Sequence, residues 1–121
     1  MSEKTVVEIL EGGLDYLRKN GWRRGDFGYE NPGDTCKAFA LGAIYAAGEV
    51  PAGNFWGSPI NIRSAVHCLN DELPSNAHGS VTYFNDAIAK RRRDVERVFA
   101  RAIKKAKLDA AESATQTVEA A

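Results

Sequence analysis

The sequence predicts an all-α fold, a small four-helix domain around a central Ala-rich helix, with long loops and a disordered C-terminal tail. Three observations predict it. Apolar residues recur at helical spacing in three separate segments. One stretch, residues 35–48, is apolar nearly all round, as a buried helix is. Between these segments lie clusters of Gly, Asn, Asp and Pro without a period, which read as loops. At 121 residues the chain is long enough to bury one core without disulfide or metal staples. The domain is expected over residues 1–108 and a flexible tail over 109–121.

The first helix is expected from about residue 3 to Lys19, with Val6, Leu10, Leu14 and Leu17 on one face. Thr5 and Glu8 have the spacing of a capping box. Gly12-Gly13 within it costs about 1 kcal/mol per residue relative to Ala, which implies a close helix contact or a kink. Asn20-Gly21 ends it. The following polar loop carries Trp22, Phe27 and Tyr29, which are too apolar for water and are expected to fold over the core as a lid. Asp34 is the expected N-cap of the Ala-rich helix. Ser58-Pro59 is the start signal of a third helix, whose Ile62, Ala65, Val66, Leu69 and Leu73 share a face up to Pro74. Residues 81–84 read equally as a strand fragment or a helical turn. The last helix sets Val95, Val98, Phe99, Ala102, Ile103 and Ala106 against Arg93, Arg97, Arg101, Lys104 and Lys105.

Hydrophobic residues make up 44% and charged residues 26%, which excludes a disordered or membrane-embedded chain. No apolar run reaches the roughly 18 to 20 residues that a membrane span needs. Met1-Ser2-Glu3-Lys4 lacks the basic and then apolar layout of a secretory leader, so a cytoplasmic location is expected. Two cysteines without a CxxC fit reduced thiols there. The net charge of zero conceals a dipole. Residues 1–89 carry 7 basic and 11 acidic side chains, whereas residues 90–107 carry 9 and 2. One end is therefore suited to an anionic surface.

Four constellations are candidates for chemistry or contact. Cys36, two residues beyond the expected N-cap Asp34, would lie where helix N–H groups favour a thiolate. With His67 as base it gives a cysteine-dependent hydrolase or transferase, although such enzymes bring their histidine from a sheet that this chain lacks. The competing reading is a plain packing cysteine. His67 and Cys68 are adjacent and point about 100° apart on a helix, so no metal site and no cofactor is expected. Asn85-Asp86 reads first as a cap or Asx-turn, and also as a contact surface. Lys90-Arg91-Arg92-Arg93 is the candidate nucleic-acid contact, weighed against a simply solvated helix face and a pI near 6.7. Phe55-Trp56 between glycines either plugs the domain or presents a surface.

Three pieces, read in order, carry a resemblance. Gly21-Trp22 follows the first helix, Ala40-Leu41-Gly42-Ala43 lies in the second, and Phe84-Asn85-Asp86 precedes the closing helix. Over roughly residues 5 to 107 the chain resembles a family of small actinobacterial and actinophage proteins, a domain of unknown function. The resemblance implies an all-α fold and a phage or actinobacterial setting, without an activity. Where that family often has cysteine before Ala-Leu-Gly-Ala, this chain has Phe39. A position that accepts phenylalanine is a packing position, which weakens the enzyme reading.

The expected function is therefore binding rather than catalysis, as an accessory protein contacting a host protein or a small molecule. The residues expected to carry it are Trp22, Phe27, Tyr29, Asn85, Asp86, Arg91, Arg92 and Arg93. The alternatives are the Cys36 enzyme and a nucleic-acid binder using the basic last helix.

Overall fold

The structure, a computed structural model, describes residues 4–24, 28–53 and 57–120, the last nine of these as backbone only. Among them are five α-helices and no strand, so the all-α class stands and the count of four does not. The helices are α1 (Val6–Asn20), α2 (Ala40–Ala47), α3 (Ile60–Asp71), α4 (Val81–Tyr83) and α5 (Arg92–Ala120). A 3₁₀ turn, Ser75–Ala77, precedes α4, and a π turn, Phe84–Ile88, follows it directly. The segment that read as strand or helix is thus helical. Phe27, Phe55 and Trp56 lie outside the described residues.

The start of α1 follows its sequence signal. Thr5 Oγ1 accepts from Glu8 N at 3.1 Å, and Thr5 N donates to Glu8 Oε1 at 2.9 Å. The Thr5 backbone N–H holds the Glu8 carboxyl below its ordinary pKa. Gly21 closes the helix at φ 99°, its N–H donating to Leu17 O. The inward face is Ile9, Leu10, Gly13, Leu14 and Leu17.

The glycine pair marks a close helix contact. A Cβ on Gly13 would stand 2.8 Å from Phe99 Cε2 and 3.3 Å from Ile44 Cδ1, and one on Gly12 would stand 3.0 Å from Ala47 Cβ. Both α2 and α5 therefore approach α1 where it lacks side chains. Gly13→Ala is expected to destabilise the fold by about 1–3 kcal/mol through overpacking, despite a gain in helix propensity of roughly 1 kcal/mol. A thermal melt that rises in this variant would contradict the close contact.

The second helix starts later than expected. Asp34 does not cap it: its carboxylate accepts from Glu30 N and Asn31 N at 3.2 and 3.0 Å and closes a turn behind itself. The chain then runs extended to pair with the segment after α1. Arg23 N donates to Ala38 O at 3.1 Å and Ala38 N to Gly21 O at 3.2 Å. Only at Ala40 does α2 begin, after Phe39. Cys36 accordingly lies in a loop and not in a first helical turn. In α3 the helix opens at Ile60 with Pro59 at the cap and Ser58 buried before it, one position later than expected.

The core joins all five helices. Its largest buried side chains include Leu10 and Leu17 from α1, Ile44 and Tyr45 from α2, Ile62 and Leu69 from α3, and Val95, Val98 and Phe99 from α5. The α5 helix continues to Ala120, through residues expected to form a frayed tail. Asp109 to Ala120 contains four alanines and no glycine or proline, so nothing in it stops a helix already nucleated on the core.

Candidate functional site

Asn85 organises the end of the molecule where the three family-like motifs meet. The π turn turns its side chain inward, and the residue is fully buried. Its Oδ1 accepts from Trp22 Nε1 at 2.6 Å and from Ala40 N at 2.9 Å. Its Nδ2 donates to Arg23 O at 3.1 Å and to Asp86 Oδ1 at 3.0 Å. One amide therefore caps α2, pins the Trp22 indole and ties down the bridge segment. This is the cap that Asp34 was expected to provide. Asp86 is half-buried beside it. Neither is laid out as an open turn.

Trp22 is half-buried, and the Arg24 guanidinium lies over its ring, 5.5 Å from the centroid. Arg24 also donates to Ala89 O at the end of the π turn. Tyr29 is not at the surface: it is 1% exposed, and its hydroxyl donates to Val50 O at 2.8 Å. Tyr16 meets it edge-on at 6.0 Å and donates to the carbonyls of Asp34 and Cys36. These aromatics hold the loop against the core, as a lid would.

Outside this clasp lies a groove of about 530 Å³. One wall is Gly21 and Trp22, Lys37 crosses from the bridge loop, and Arg91, Arg92, Arg93 and Glu96 come from the start of α5. Lys37 and the three arginines are exposed. Glu96, the one carboxylate of the lining among the described residues, is half-buried and faces Arg18 Nε at 3.8 Å and Arg92 Nε at 2.7 Å. The Arg92 contact is an ion pair without hydrogen-bond alignment, since Glu96 Oε2 is buried with no hydrogen-bond partner. The groove thus carries a surplus of positive charge.

The structure brings Trp22 and Arg91–Arg93 together at this groove and sets Asn85 behind it. It leaves Tyr29 in the core. Sequence reasoning missed Lys37, Glu96, Arg18 and Arg24 as its neighbours. No local signal marks them, because three separate segments supply the lining.

Cys36 and His67 lie on separate elements, a loop and α3. Cys36 Sγ donates to Gly28 O at 2.8 Å in the loop, while His67 stands on the exposed side of α3. Without the helix end, the stated reason for a thiolate at Cys36 is gone. Cys68 is half-buried, and burial pushes its thiol up. Iodoacetamide is expected to label Cys36 well before Cys68. That difference reads exposure and does not by itself mark a catalytic thiol. Among the described residues no group of His, Cys, Asp or Glu could hold a metal ion. No described helix is long and apolar enough to cross a membrane.

The tyrosines give a pH test of the lid. Burial pushes the Tyr16 phenol up to about 12, with Cys36, Asp34 and Tyr29 adding to it, and burial also raises Tyr29 and Tyr45. A raised phenol contributes stability that is complete below pH 10 and is lost as pH rises through about 12. Absorbance at 295 nm should show these tyrosines ionising later than in the urea-unfolded chain. Superimposable titrations of folded and unfolded protein would contradict the buried lid.

A small all-α domain with a clasped, cationic groove is the class that fold and site define. The chain matches the model of a family of unknown function, DUF6197, over residues 1–105, and it belongs to that family. No curated protein and no solved structure matches it.

Proposed function

We propose that the chain is a non-enzymatic binding protein whose working surface is the groove between Trp22, Lys37 and Arg91–Arg93. The observation that supports this is the concentration of four exposed cations around one carboxylate that already faces two arginines. A rigid wall backs them, because Asn85 fixes the Trp22 indole. Such a site needs shape and charge, and no nucleophile with its base. The partner is anionic, an acidic face of a host protein or a charged small molecule. An actinobacterial or phage setting accords with the three motifs, and a cytoplasmic location is part of the same reading.

The test is capture from host lysate by the tagged chain and by an Arg91→Ala/Arg92→Ala/Arg93→Ala variant, both folded by circular dichroism. A specific partner or ligand held by the parent and lost by the variant is the expected result. Equal capture by both would overturn the groove. Cys36→Ser should leave capture unchanged, and a lysate activity abolished by that substitution would restore the enzyme reading.

A further inference from the structure

We infer that the groove recognises a phosphate chain, a soluble ligand carrying a di- or triphosphate. This rests on the binding surface proposed above and narrows the anion that fills it. Three of the four cations are arginines, whose planar forks match the oxygens of phosphoryl groups in pairs, whereas a lysine acts as a point charge. Arg91, Arg92 and Arg93 are consecutive at the start of α5, and Lys37 faces them from another segment. Their charges are therefore spread along and across the groove. An anion with several linked charged groups meets such a spread, and a single carboxylate does not.

Glu96 sets the geometry further. It engages Arg92 through Nε, which leaves the two terminal nitrogens of that guanidinium as the edge for a ligand. The amino end of α5 contributes less than the side chains do, because the Asp94 carboxylate in its first turn already places a negative charge there.

Size and field favour a discrete ligand over a polynucleotide. A groove of about 530 Å³ is in the range of small-molecule sites. The chain as a whole is neutral, and residues 1–89 carry four more acidic than basic side chains, so long-range attraction for a polyanion is weak. Trp22 is poorly placed to read a base by stacking. Its N–H is committed to Asn85, and Arg24 lies over its ring. Recognition therefore falls on the phosphates, with little discrimination between nucleobases.

The experiment is titration calorimetry of the full chain at about 50 mM salt, where phosphate contacts are strongest. The probes are inorganic tripolyphosphate, ATP, GTP, citrate at matched ionic strength and a mixed-sequence single-stranded oligonucleotide. Tripolyphosphate, ATP and GTP should bind within a few-fold of one another, and citrate at least about tenfold more weakly. Lys37→Ala and Arg91→Ala should each weaken tripolyphosphate about tenfold, as loss of one charge-assisted contact does. Arg91→Lys should recover only part of that loss, and Lys104→Ala, on the exposed side of α5 and outside the groove, should bind tripolyphosphate as the parent does.

Citrate binding as tightly as tripolyphosphate would reduce the site to a general anion surface and overturn the inference. An oligonucleotide binding far more tightly than ATP would assign the groove to nucleic acid instead, and also overturn it. So would no binding of any phosphate. If the triple-arginine variant still loses its lysate partner in that last case, the binding surface stands and only the phosphate chemistry falls. If it retains the partner, the surface itself is refuted.

Discussion

Asn85→Ala is expected to remove about 3–5 kcal/mol of stability, the largest effect of any single polar substitution in this chain. The residue is 0% exposed and makes four hydrogen bonds. Truncation strands the Trp22 indole N–H and the Ala40 N–H, and each buried donor left without an acceptor costs about 1–3 kcal/mol. It also leaves a void in the π turn. Against a domain stability of roughly 5–15 kcal/mol, this approaches unfolding. Asn85→Asp preserves the shape but is expected to be no better. It replaces a donor to Arg23 O by a carboxylate beside Asp86, fully out of water. Urea denaturation measures both variants, and a loss under about 1 kcal/mol in Asn85→Ala would refute the clasp. The same reasoning makes Asn85 a poor probe of the binding surface, since its loss disturbs the wall and not the contact.

Gly28→Ala is the second large effect. Gly28 has φ +74°, and a Cβ there would fall 1.8 Å from Lys37 O and 2.7 Å from Arg23 Cδ. The left-handed backbone alone costs an L-residue about 1–2 kcal/mol. The clash adds to that, because the atom struck is backbone and the loop must move. The expected loss is roughly 3 kcal/mol or more, on the scale of severe overpacking. Gly33→Ala separates the two contributions. Gly33 has φ +100° with nothing within 4 Å of its Cβ position, so it should cost only the backbone strain. Equal melts for the two variants would contradict the contact. Because Lys37 follows the shifted loop, Gly28→Ala should also weaken any ligand of the groove in protein that remains folded.

What the sequence discloses divides by distance along the chain. The Thr5–Glu8 capping box, the glycine pair in α1 and the apolar stripe of α5 are local patterns, and each was legible. The second helix was misplaced because Asp34 gives a good local capping signal that tertiary structure overrides. Its carboxylate closes a turn back to Glu30, and the cap comes from Asn85, 45 positions away. No window of sequence contains that competition. The tail is helical to Ala120 because its small polar composition is compatible with helix once a long, packed helix leads into it. Of the site, the arginine run was visible as charge, and Trp22 as an aromatic in a polar loop. Lys37 and Glu96 join them only through the bridge between residues 22 and 38 and the packing of α5 on α1.

The Asn85 clasp also sets the earliest point at which α2 can be capped during synthesis. The acceptor for the first N–H of α2 is made 45 residues after the helix itself. At about 5–20 residues per second, a ribosome takes roughly 2–9 s to supply it. Through that interval the highly apolar α2 segment and the Trp22 indole are without their partner.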